Sequence, residues 1–203
     1  MSRLQYSKAA LHKQSAQLKR FRQYLPSLDL KRQQLIAEKA KAMKQLRDTE
    51  RQIEAGMKFV SDSLPMLADF SIQLEQLVTV DNVRVETENL VGVEVPRLVA
   101  VEMSEQPYSF FCKPHWVDMA VRKLKAMLEL RIRYEVEKKR LELLELAVKK
   151  VTQRVNLFDK ILIPRAERNI RKIRIFLSDT ERAAVVRAKI TKQKRLKAAS
   201  WPS

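Results

Sequence analysis

Counting in sevens from Leu4 gives Leu4, Leu11, Leu18, Leu25, Arg32, Lys39, Leu46, Ile53 and Val60, of which seven of nine are apolar. Such a stripe suits the a positions of a coiled-coil helix. The companion d set begins at Ser7 and includes Phe21, Leu28, Leu35 and Ala42; it is weaker, with four apolar residues in nine. Together they predict one long helix from residue 4 to about 62. Pro26 lies inside it, removes a backbone donor and predicts a kink or break nearby.

A second long helix is predicted from Pro114–Trp116 to about Lys197. Its seam steps by fours and threes through Trp116, Ala120, Lys123, Met127, Leu130, Tyr134, Glu137, Leu141, Leu144, Val148, Val151, Val155, Phe158 and Leu162, with twelve of fourteen apolar. The seam then advances by two successive fours, through Ala166 to Ile170, before Ile173 and Leu177. A step of this kind locally unwinds a left-handed supercoil. Pro164 falls inside the shift, so a bend there is expected on two independent grounds.

Between the helices the period changes. Met66–Leu77 suits a short helix. Val83, Val85 and Thr87 then alternate with Arg84, Glu86 and Glu88, and Val99, Val101 and Met103 repeat the pattern across Gly92 and Pro96, as in a β-hairpin. The expected fold is mainly α: a long antiparallel two-helix coiled coil with a small β-hairpin insert between the helices. Its parts are an N-terminal helix (1–64), an insert with a short helix and hairpin (65–114), and a C-terminal helix with a basic tail (115–203). If both helices start level at the insert, the second overhangs the first by about 20 residues or more, roughly 30 Å.

Composition agrees with this picture. Two glycines, 6% aromatic and 32% charged residues in 203 leave little for a compact globular core and suit long helices with a narrow seam. The single cysteine, Cys112, excludes an internal disulfide. No apolar run of membrane-spanning length and no signal-peptide core is present, which predicts a soluble intracellular protein. The net charge of +17 attracts nucleic acid, acidic lipid surfaces or acidic protein walls.

Candidate chemistry is sparse. No phosphate-binding Gly-rich loop occurs. Cys112 and His115 form a Cys-x-x-His pair, but structural zinc needs four ligands and the only other histidine is His12. Glu135/Glu137 and Glu142/Glu145 read as solvated helical carboxylates. No catalytic, cofactor-binding or metal-ligating residue is assigned. The basic residues are more informative. Arg165, Arg168, Arg171, Lys172 and Arg174 are opposed only by Glu167. Arg182, Arg187, Lys189, Lys192, Lys194, Arg195 and Lys197 follow near the end, with Glu181. They read either as a solvated face or as an electrostatic contact with an acidic partner. Aromatic interleaving for single-strand binding is limited to Phe176 and Trp201. Apolar residues off the seam, namely Leu143, Leu146, Leu157, Ile161, Ile163 and Ile175, exceed what a two-stranded coil needs and suit patches for a second subunit.

The run Lys150-Val151-Thr152-Gln153-Arg154-Val155-Asn156-Leu157-Phe158-Asp159, followed by Ile163-Pro164, resembles the signature of the D subunit of V-type (V/A-type) ATPases and ATP synthases. Within it, Arg154, Val155, Asn156, Ile163 and Pro164 carry the likeness. Further on, Ile173, Leu177, Glu181-Arg182, Arg187 and Lys189 are similar to the family's terminal pattern. Glu88-Asn89-Leu90-Val91-Gly92 with Val95-Pro96-Arg97 resembles its insert, and Lys31-Arg32-Gln33-Gln34-Leu35 its N-terminal basic run.

The resemblance implies a non-catalytic rotor subunit of the central stalk. It would couple hydrogen-ion or sodium transport through the membrane rotor to ATP synthesis or hydrolysis. Implied partners are the catalytic-ring A and B subunits, the small F subunit of the stalk, and a funnel-like subunit joining the membrane rotor ring. Nucleotide sites would lie on the A subunits, so no cofactor is expected here, nor direct nucleic acid. Membrane contact would come only through the complex, at its cytoplasmic face. On this reading Leu4, Leu11, Leu18, Leu141, Leu144, Val148, Val151, Val155, Phe158 and Leu162 form the shaft seam, and Arg165, Arg168, Arg171, Lys172 and Arg174 are candidate ring contacts. The alternatives by architecture are a prefoldin-like coiled-coil chaperone and a basic coiled coil that binds nucleic acid.

Overall fold

The structure is a computed structural model that describes residues 4–68, 77–106 and 114–199. Helix α1 runs Lys8–Ser63 and is followed by a single 3-10 turn, Pro65–Ala68. Strands β1 (Val78–Leu90) and β2 (Val93–Glu105) form an antiparallel hairpin. Helix α2 (Trp116–Leu157) passes through a π-helical turn, Phe158–Leu162, into α3 (Ile163–Ala199). The helix expected over Met66–Leu77 is seen only as the 3-10 turn, its remainder lying outside the described residues up to Leu77. The fold class is the expected one, mainly α with helices pairing antiparallel around a hairpin insert.

The chain divides into two compact units, Met1–Leu30 with Thr152–Ser203, and Lys31–Val151. In the second unit, α1 and α2 run antiparallel. Lys39 pairs with Glu145 at 2.8 Å, Thr49 donates to Glu137 at 2.8 Å, and Lys123 caps the Phe59 ring at 4.2 Å. Numbers rise on one helix as they fall on the other. A Cβ on Gly56 would come within 2.5 Å of Met127 Sδ, so a glycine here lets Met127 cross close to α1. The buried α1 residues are Leu35, Ala42, Thr49 and Ile53. The deepest burial therefore follows the stripe that begins at Ser7, which is the weaker one by apolarity. Leu144 is fully buried on α2, and its truncation to alanine costs about 2–5 kcal/mol.

The hairpin turns on Val91 (φ 54°) and Gly92 (φ 75°), the left-handed pair that a two-residue turn of a twisted hairpin requires. Asn89 Oδ1 accepts from the Gly92 amide at 2.8 Å. Both strands are longer than the valine alternation implies. Pro96 pairs with Thr87 inside β2, tolerated because a two-stranded sheet leaves every strand with a free edge. Glu88 reaches Arg140 at 3.2 Å and Glu105 reaches Lys125 at 2.9 Å, tying both ends of the hairpin to α2. Its foot is apolar, with Leu77, Val78, Val117 and Val121 buried together against Met103, Trp116 and Leu128.

In the first unit, α1 pairs antiparallel with α3. Lys8 meets Glu181 at 3.3 Å, Arg22 meets Glu167 at 2.6 Å, and Phe21 meets Phe158 edge-to-face at 5.5 Å. Pro26 neither breaks nor ends α1, which continues to Ser63. The seam shift near Pro164 has a structural counterpart. The Ile163 amide bonds to the Phe158 carbonyl, five residues back. One residue beyond heptad spacing lies between Leu162 and Ile170, and a π turn takes up such a residue. It also eases the crowding that proline's ring imposes on the carbonyl four residues before it. Val155, Ala166, Ile170 and Ile173 are all buried in consequence.

Candidate functional site

The carboxylates whose type and pairing suit acid–base chemistry each have a structural partner. Glu135 pairs with Arg131, Glu137 accepts from Thr49, Glu142 pairs with Lys139, and Glu145 pairs with Lys39. His12 and His115 lie on different units, while Cys112 and Trp201 fall outside the described residues. Among the described residues no cluster of three or more metal-type ligands occurs, and no helix is long and apolar enough to cross a membrane.

What the structure builds instead is a cationic surface on α3. At about 100° per residue, Ala166, Ile170, Ile173 and Leu177 fall within an arc of about 60°. Arg168, Arg171 and Lys172 fall opposite them, with Arg165 and Arg174 on the flanks. All five basic residues are exposed. Glu167, the only carboxylate in the stretch, is already held by Arg22. Arg22, Arg171 and Arg174 share an open groove of about 600 Å³ with Lys19, floored by Leu18 and Ile170. The burial of the seam fixes the helix rotation, and the rotation presents the cations outward.

Beyond Glu181, the partner of Lys8, the surroundings of α3 change. Every residue from Asp179 to Leu196 is exposed, including Val185, Val186, Ile190 and Leu196. Arg182, Arg187, Lys189, Lys192, Lys194 and Arg195 surround these apolar side chains. The overhang from Arg182 to Ala199, the last described residue, is about 27 Å long. It is a helix that mixes exposed apolar and basic side chains and has, among the described residues, no helix beside it.

Of the family-signature residues, Val155 is buried, Ile163 and Pro164 are half-buried, and Arg154, Asn156, Glu181, Arg182, Arg187 and Lys189 are exposed. The seam residues Leu4, Leu11, Leu18, Leu141, Val148, Phe158 and Leu162 are half-buried, whereas Leu144 and Val151 are buried. Among the surplus apolar residues, Leu146, Leu157, Ile161 and Ile175 are exposed, and Leu143 and Ile163 half-buried. In the second unit an open apolar groove of about 420 Å³ is lined by Met57, Val60, Leu64, Leu124 and Met127; sequence periodicity gave no sign of it because its walls belong to two stripes.

Comparison with known proteins adds an independent observation. Residues 10–193 match the profile of the family of ATP synthase D subunits. The chain is 33% identical to the V-type ATP synthase D subunit of Borreliella burgdorferi over 197 residues, 97% of each chain. It is 34% identical to the protein of the same name in Chlamydia muridarum, covering 95% of this chain and 96% of that one. With the Chlamydia trachomatis serovar L2 counterpart the identity is 33%, at the same coverage.

Proposed function

Because the chain belongs to the family of ATP synthase D subunits, we propose that it is the central rotor shaft of a V-type ATP synthase. It turns within a ring of alternating A and B subunits. The observation that carries this reading is the α3 overhang, a helix of exposed cations and apolar residues extending past its partner helix. A surface of this kind is stabilised by enclosure in a larger assembly.

The chain's role is mechanical. In a ring of threefold repetition, one asymmetric shaft makes otherwise equivalent subunits differ, and its rotation shifts which site is open or closed. Ion flow through the membrane rotor, of protons or sodium, is thereby linked to nucleotide turnover on the A subunits. Arg165, Arg168, Arg171, Lys172 and Arg174 face acidic groups lining the ring, where charge steers and holds register. The small F subunit sits at the side of the coil, where apolar residues such as Leu146 and Leu157 lie exposed. A funnel-like subunit joins the shaft to the membrane rotor, which places the protein peripherally on the cytoplasmic face.

Reversal of Arg165, Arg168 and Arg171 to glutamate tests the electrostatic part. In the reconstituted complex, ions moved per ATP hydrolysed should fall by about tenfold or more, because like charges then face each other across the ring. Unchanged coupling would overturn that role. Purification of the complex through this chain should also bring down A and B subunits at three of each per shaft. Failure of the two to co-purify at all would overturn the shaft assignment itself.

A further inference from the structure

The hairpin is where the charge of the chain changes sign. Between Val78 and Glu105 stand six carboxylates, Asp81, Glu86, Glu88, Glu94, Glu102 and Glu105, against Arg84 and Arg97, in a chain of net charge +17. Three of the six are tied: Glu88 to Arg140, Glu102 to Arg84 and Glu105 to Lys125. Asp81 accepts from the Ser104 hydroxyl at 2.9 Å.

The two strands are unequally covered. On β2, Val95 is buried and Val93, Leu98, Ala100, Val101 and Met103 are half-buried; on β1 every residue from Thr79 to Thr87 is exposed. Among the described residues the sheet holds only these two strands. Outside their ladder, no backbone hydrogen bond among the described residues reaches the outer edge of β1. That edge thus presents a row of unpaired donors and acceptors beside exposed Val83 and Val85. Such a row is a template for a further strand. The register shifts at Val80/Asn82 and Arg84/Val85 leave Val85–Leu90 as the longest regular run.

We propose that the outer edge of β1 accepts an added strand from a partner protein, an extended segment in which basic and apolar residues alternate. Val83 and Val85 project to one side of β1 and Glu86 to the other. An alternating segment therefore lays its apolar side chains on the valine side and its cations beside Glu86, with Asp81 adding to the field. The same charge argues against a second copy of this chain as the occupant. Two β1 edges brought together would align carboxylates, and like charges on neighbouring strands repel.

The test uses the full-length chain and two synthetic decapeptides, one alternating lysine with valine and the other glutamate with valine, with amide exchange read residue by residue at low salt. The lysine–valine peptide should slow exchange of alternate amides between Asn82 and Thr87 by about tenfold or more, and the glutamate–valine peptide should not. In the double variant Asp81→Lys, Glu86→Lys the preference should reverse. Both sites are exposed, so the fold should survive, as an unchanged thermal melt would verify. Equal protection by both peptides, or protection confined to the helices, would overturn the proposal. So would sedimentation of the free chain as a dimer with β1 already protected.

Discussion

Thr49 is 5% exposed in the seam of the second unit and gives its hydroxyl to Glu137 Oε2. The two form a polar pair in an otherwise apolar layer, and such a pair holds one helix register because any slip strands a carboxylate against hydrocarbon. Thr49→Val should destabilise the chain by about 1–2 kcal/mol in urea unfolding, since the hydrogen bond to a charged group is lost without shape change. The double variant Thr49→Val, Glu137→Leu should return close to the parent stability, because replacing both partners with apolar groups leaves nothing unsatisfied. Additive losses in the cycle would show the two residues to be independent. Glu137 was visible in the sequence as one of two polar residues in a fourteen-residue stripe. Its partner was not visible, because the stagger between two helices is set by the connecting insert and by packing that periodicity does not encode. Val91 makes a related point. A β-branched residue at φ 54° is held there by the turn geometry rather than by its own preference.

The helices were legible because their burial is periodic, and the hairpin because valines alternate. Their finer behaviour was less so. Apolarity ranked the Leu4 stripe of α1 first, yet only Ile53 of it is buried, against Leu35, Ala42 and Thr49 of the other stripe. Close approach favours small residues such as Ala42, and long cations such as Lys39 bridge across the rim. The strands outran their alternating cores because the ladder accommodates Glu94 and Pro96 in register and passes Asp81 at a register shift, residues that side-chain propensity disfavours. Most instructive is the turn at Phe158–Leu162. The step in the seam marked its place, but the step alone does not say whether the chain bends, unwinds or widens; the π turn widens. Deletion of Pro164 removes the extra residue and the helix breaker together, leaving Phe158, Leu162, Ala166 and Ile170 in heptad spacing. The isolated chain should then gain about 2 kcal/mol and melt about 4–8 °C higher. A lower melting temperature by calorimetry would mean that the π turn is itself the better-packed arrangement.

At the level of the molecule, the basic α3 surface was readable from charge and phase, whereas the identity of what it touches resides in the partner's surface and not in this sequence. The overhang separates stability from assembly. Truncation after Glu181 removes a stretch whose described side chains are all exposed, so the melting temperature should stay within about 2 °C of the parent. Assembly with ring subunits should fail, as pull-down would report. A large drop in melting temperature would show that the overhang supports the fold. The division into units carries a consequence for biosynthesis. Lys31–Val151 is one continuous compact unit and can pack once it leaves the ribosome, but Met1–Leu30 must wait for the segment that begins at Thr152. At about 5–20 residues per second, the amphipathic start of α1 is without its mate for about 6–24 s on every round of translation. During that interval its leucine stripe is open to holdases, and to other nascent copies on the same message.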